Sequence, residues 1–352
     1  MVARGEAIDL PQADQAPGCP HPREVFDLIG HENIERDFAA LYDADTLHHA
    51  WLLTGPKGIG KATLAYRMIR RVLGGVPQTV GQLDVPETDT VAKRIRSLGH
   101  GDFLLIRRPY DLKTKKLRSQ ILISEIRKVS QFFTKKASEG GWRVCLIDSA
   151  DEMNPSATNA LLKTLEEPPE KCLIILLSKT PGRLLPTIRS RCKTVNLRAV
   201  PKAQIKTWAQ AITNSSADDI QNALTLAGGT PGMVLALLNH ADDLLRPLQT
   251  FLASFPRPNT ELVHRISDKL ALVSANDSFD LFWEIMDRLI SAQAIYTATG
   301  EWTLPGDPIA KQSTVSHWLD LQRTFKDMRG AQAGLNMNKK TVLLDALTRL
   351  SA

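Results

Sequence analysis

A short apolar run, Ala50-Trp-Leu-Leu-Thr54, stops at GPKGIGKAT, residues 55–63. Glycines at 55, 58 and 60 free the backbone to turn so that its N–H groups converge on one point. After Lys61 the apolar residues Leu64, Ala65, Met68, Ile69, Val72 and Leu73 recur at helical spacing. Strand, glycine-rich turn and helix N-terminus, in that order, make a phosphate-binding loop. Such a unit constrains the whole chain, because a strand followed by a helix needs further parallel strands beside it.

Those strands are legible as Phe103–Ile106, Arg143–Asp148, Cys172–Ser178 and the weaker Lys193–Leu197. Between them lie helical patterns, among them Ile123, Ile126, Val129 and Phe133. Asn154 suits a helix cap, Pro155 a first turn and Pro168 a stop. The fold class expected is α/β, a parallel sheet covered by helices. After Leu197 the strand signals cease, and helices are predicted over Pro201–Ile212, Ala217–Ala227 and from Thr230-Pro231 onward. The last hundred residues are helical in pattern, as in 279–290 and 340–350. The organisation read from the sequence is a flexible extension over 1–24, an α/β domain over 25–198, a small helical domain over 199–243 and a helical C-terminal domain over 244–352.

The phosphate loop has its anion-binding parts and lacks others. Gly55, Gly58, Gly60 and Lys61 are the candidate phosphate ligands. Turnover of ATP also needs a hydroxyl after the lysine and an acid on a neighbouring strand to hold magnesium, plus a group to orient water. Ala62 has no oxygen, and Thr63 stands about 100° further round the helix. Asp148 ends its strand where the magnesium-side acid belongs, but the next residue is Ser149 instead of a water-polarising Glu. Asp151 and Glu152 lie beyond the strand tip, as capping or surface acids do. The expectation is weak ATP or ADP binding, a poor magnesium site and little turnover.

Charge adds a second candidate. The 352 residues carry +6 net, and ten Lys or Arg against Asp111 and Glu125 fall between Arg107 and Lys136. That stripe fits a polyanion, with Lys113, Lys115 and Lys116 as its candidate contacts, and fits a solvated face equally well. Tyr110, Phe132 and Phe133 are too few for base stacking. Hydrophobic residues are 43% of the chain, yet no apolar run approaches the ~18 residues of a membrane span. With no apolar signal core at the N-terminus, the expected location is cytoplasmic, with no membrane partner. Four scattered cysteines, at 19, 145, 172 and 192, with no C-x-x-C pair, argue against a disulfide framework or a zinc cluster, and Cys145 and Cys172, inside apolar runs, suit core packing.

Taken together, HAWLLTGPKGIGKATLA, ATNALLKTLEEPPEKCLIILLS and LLPTIRSRC resemble the clamp-loader branch of the AAA+ proteins over residues 25–240. The resemblance implies an ATPase-like domain, a helical lid and a helical collar. It also implies a place in a five-membered replication assembly that opens a sliding clamp and loads it on primed DNA. The partners implied are motor subunits of the gamma/tau type and a delta subunit. In that arrangement Arg191, within Ser-Arg-Cys at 190–192, is offered to the ATP of the neighbouring subunit. Active relatives place an arginine near the position of Gly232, and many carry a four-cysteine zinc module where residues 74–102 have no cysteine, so no zinc is expected. Two other readings stand beside this one. An autonomous ATP-driven motor on nucleic acid would turn over ATP alone. A small-molecule phosphotransferase fits poorly with the long helical C-terminal half.

Overall fold

The computed structural model describes residues 12–16, 19–114, 116–139, 141–255, 259–272, 275–302, 308, 313–335 and 337–350. Two compact units divide the chain, one built on Pro20–Ala199 and the other on Val200–Ala352.

The first unit holds strands β1 (Ala50–Thr54), β2 (Phe103–Ile106), β3 (Tyr110–Asp111), β4 (Lys116–Leu117), β5 (Arg143–Ile147), β6 (Cys172–Ser178) and β7 (Lys193–Asn196). Five of them form one parallel sheet in the order β2-β5-β6-β1-β7, while β3 and β4 make a small antiparallel hairpin. Every residue of β1, β5 and β6 is buried, because helices cover both faces and leave no water for either side. Ile126, Val129 and Phe133 from one helix and Leu161 and Leu165 from another close over Ala50, Cys145 and Ile174. Each such large side chain contributes roughly 1.5–3 kcal/mol by leaving water. This is the α/β architecture, a parallel sheet covered by helices, expected from the strand and loop pattern.

Register sets the edges of the sheet. Trp51 lies opposite Ile175 on one side and Lys193 on the other, and Thr54 lies opposite Ser178 and Asn196. All five strands therefore begin at one edge and end at the other. Asn154 caps the helix Pro155–Glu166 as its residue type predicts, its Oδ1 accepting from Ala157 N at 2.8 Å.

Within the second unit the described residues are helical from Lys202–Ile212 to Lys339–Leu350. Gly228 and Gly229, at φ 55° and 76°, end the helix Ala217–Leu226 in the left-handed conformation that residues with a side chain resist. Arg288 donates to the Ala227 carbonyl at this turn.

The expected flexible extension needs correction over its described part; residues 1–11 lie outside the described residues. Asp14 is buried, with His21 Nε2 at 3.2 Å and Arg107 as an ion-pair partner. Gln12 Oε1 accepts from both Arg23 and Arg107 at 2.8 Å, and Arg70 donates to the Arg23 carbonyl at 2.6 Å. The polar composition that suggests a free tail is satisfied by arginines of the α/β unit, which turns polarity into anchorage.

Candidate functional site

The phosphate loop leaves β1 at the edge where the strands end. Gly55, Gly58 and Gly60 all take positive φ, at 143°, 79° and 107°. At Gly55 a Cβ would come within 2.7 Å of the Leu197 carbonyl oxygen, so the turn admits no side chain there. Lys61 opens the helix Lys61–Val72, and its Nζ donates to the carbonyls of Gly55 and Pro56 at 2.8 and 2.9 Å. Burial lowers the Lys61 ammonium to about 8, against the pull of Asp148 and Asp151. Thr63 is one residue beyond Ala62 and half-buried.

Asp148 directly follows β5, and its N–H donates to the Ile106 carbonyl at 2.8 Å. Burial is the main cause that raises its carboxyl to about 7, and the nearby Asp14 adds to it; Ser149 and Lys61 oppose the shift. Ser149 Oγ donates to Asp148 Oδ1 at 3.0 Å. The hydroxyl at the water-polarising position is thus a donor to the acid and cannot replace a general base. Glu152 bridges Arg108 Nε at 2.6 Å and Lys179 Nζ at 3.1 Å, while Asp151 accepts from the Lys179 N–H at 3.3 Å. These acids are tied into the surface, as their position past the strand tip suggests.

The donor set divides cleanly. Three glycines, a helix N-terminus and Lys61 fit a polyphosphate. A divalent cation fits less well, since Ala62 supplies no oxygen beside Lys61 and Asp148 is left as the acid available to it.

Arg191 sits elsewhere. It follows the short helix Pro186–Arg189 and precedes β7, so it lies at the edge where strands begin, opposite the edge that carries Lys61. Ile188 and Cys192, four residues apart, are buried and leave Arg191 facing outward, its side chain 36% exposed. Its guanidinium pairs with Glu166 at 2.8 Å and donates to the Thr187 carbonyl at 3.0 Å. The sequence signals bring Gly55, Gly58, Gly60, Lys61 and Asp148 together at one edge and keep Arg191 apart from them.

The basic stripe is partly neutralised. Arg107, Arg108, Arg118 and Lys128 pair with Asp14, Glu152, Asp111 and Glu125. Lys113 and Lys116 are exposed on the β3–β4 hairpin, and Lys115 lies outside the described residues. Phe133 is buried and Phe132 lies under the Arg143 guanidinium at 3.9 Å, so neither is available to a base. Sequence reasoning missed the Asp14–His21–Arg107 clasp and the pairing of Glu166 with Arg191; for the latter, the LEEPP stretch beside the predicted helix end was the available signal.

Residues 30–201 match the family described as DNA polymerase III, delta subunit. The chain is 34% identical over 185 residues to DNA polymerase III subunit delta' of Pseudomonas aeruginosa, covering 52% of this chain and 53% of that protein. It is 33% identical over 198 residues to the Escherichia coli subunit delta', covering 56% and 57%. Over this segment the chain is similar to DNA polymerase III delta-prime subunits. The matched region spans about half the length of these delta-prime relatives. A weaker likeness, 28% over 290 residues, joins 80% of the chain to 39% of DNA polymerase III subunit tau/gamma of Haemophilus influenzae. The matched segment contains the phosphate loop, Asp148, Glu166 and Arg191 alike. Among the described residues, no helix is long and apolar enough to cross a membrane.

Proposed function

We propose that this chain is the delta-prime subunit of a cytoplasmic DNA polymerase III clamp loader, a largely non-hydrolysing AAA+ subunit that offers Arg191 to the ATP of its neighbour. Its partners in this reading are gamma/tau motor subunits and a delta subunit, with the sliding clamp reached through the assembly. One observation carries the proposal: Arg191 stands at the edge of the sheet opposite Lys61. A guanidinium so placed cannot reach a phosphate on its own loop, and an outward arginine next to a neighbour's nucleotide neutralises charge on the transferred phosphate. The missing oxygen at Ala62 and the engagement of Ser149 with Asp148 support the non-hydrolysing half of the reading. Lys61 and the three glycines remain suited to weak ATP or ADP binding.

The test is ATP turnover by the purified chain alone. We expect a rate at least a hundredfold below the ~10 s⁻¹ of an ordinary enzyme. Phosphate release at ordinary rates, abolished by Lys61→Ala, would favour an autonomous motor instead.

Lys113, Lys115 and Lys116 are proposed to grip phosphates of primed DNA without reading bases. Changing all three to Gln in the assembled complex should reduce the slope of log affinity against log salt by about two to three. An unchanged slope retires the hairpin as a DNA contact.

A further inference from the structure

We infer that Glu166 is the positioning residue for Arg191, fixing the direction in which the guanidinium leaves the surface. The inference rests on the donation of Arg191 in trans and adds to it the device that aims the side chain. Glu166 is the last residue of the helix Pro155–Glu166, and its Oε1 lies 2.8 Å from Arg191 NH2. The other terminal nitrogen, NH1, donates to the Thr187 carbonyl at 3.0 Å. A planar fork held at two points, by two separate elements, loses both its swing and its roll. Five N–H donors are present on a guanidinium, so two anchors leave donors for a phosphate.

Both anchors stand on fixed ground. Leu165, beside Glu166, is buried with Leu161, and Ile188 and Cys192 on either side of the arginine are buried in the same apolar core. The next carboxylate, Glu167, is exposed beyond the helix end and is no partner of Arg191, so the sequence EE offers two charges of which only one is aimed. Glu166 is 48% exposed, and an exposed pair of this kind adds little to folding stability. What it supplies is orientation. An arginine acting across an interface works through geometry, and misplacement by about 1 Å at a reacting centre costs up to a hundredfold in rate. An unanchored arginine has to find its pose from many rotamers each time a neighbour docks.

The experiment uses the full chain assembled with gamma/tau motor and delta subunits, reading DNA-stimulated ATP turnover. Glu166→Ala is expected to lower kcat at the pocket facing Arg191 about tenfold, with KM for ATP within twofold. Glu166→Gln, which keeps an acceptor oxygen, should recover most of the loss, and Glu167→Ala should change nothing. The melting temperature of the isolated Glu166→Ala chain should stay within about 2 °C of the parent, as befits an exposed pair. The double variant Glu166→Ala/Arg191→Ala should be no slower than Arg191→Ala alone, since one acts through the other. Full turnover by Glu166→Ala, or losses that multiply in the double variant, overturn the assignment while leaving donation by Arg191 standing. An Arg191→Ala complex at full rate removes donation in trans, and this inference with it.

Discussion

Arg191→Ala in the assembled complex is expected to slow ATP turnover at the pocket it faces by about a thousandfold, on the order of 4 kcal/mol of transition-state stabilisation. The loss should fall on kcat, because a group that engages the charge building on the transferred phosphate contributes little to ground-state binding. Assembly and the fold of the isolated chain should be unaffected: the side chain is partly exposed and pairs only with an exposed carboxylate and one carbonyl. Arg191→Lys should recover little of the rate, since an ammonium keeps the charge but lacks the planar fork that anchors the guanidinium at two points. The measurement is single-turnover hydrolysis by the complex with primed DNA at saturating ATP. A rate equal to the parent's would remove the proposed role.

Asp148→Asn is expected to stabilise the chain, and to do so only well above acid pH. In the folded state the Asp148 carboxyl titrates at about 7, pushed up chiefly by burial and further by Asp14. Unfolded, an aspartate titrates near ~3.9. Below about pH 4 both states are protonated and the acid costs nothing. Between pH 4 and 7 the unfolded chain loses its proton while the folded chain keeps it, so stability contributed by the raised pKa is lost as pH rises. Above 7 the penalty is constant, at most about 4 kcal/mol for a shift of about three units. Asn cannot ionise, still accepts from Ser149 Oγ, and removes that penalty, while Lys61 loses a favourable partner. The net expectation is about 2–3 kcal/mol at pH 8, a rise in melting temperature of about 4–12 °C, and a change within about 1 kcal/mol at pH 4. Equal shifts at both pH values, or a loss at pH 8, would show that the Asp148 carboxyl is not the strained group.

The strands were legible because a parallel sheet covered on both faces demands uninterrupted apolar runs, and β1, β5 and β6 supply them. Helix ends were legible for an equally local reason: Asn154 and Pro155 satisfy the first turn by their own chemistry. The loop could be read to its single residues, since Gly55, Lys61 and Ala62 stand at fixed offsets from a strand. The first described residues were not legible. Gln12, Asp14 and His21 look like a solvated tail until Arg23, Arg70 and Arg107 are placed around them. The basic stripe stayed ambiguous, because counting charge cannot separate Arg108, engaged with Glu152, from Lys113, which faces water.

From the residues alone came the strand–loop–helix unit and the missing hydroxyl at Ala62, because each depends on near neighbours in the chain; Arg191 was singled out only by the resemblance of Ser190-Arg191-Cys192 to a family motif. Tertiary structure decided that Arg191 and Lys61 occupy opposite edges of the sheet, that the surroundings of Asp148 raise its carboxyl well above an ordinary aspartate, and that Glu166 meets the guanidinium. Those outcomes depend on which distant segments share a core and how far water is excluded, and a linear pattern carries neither distance nor dielectric.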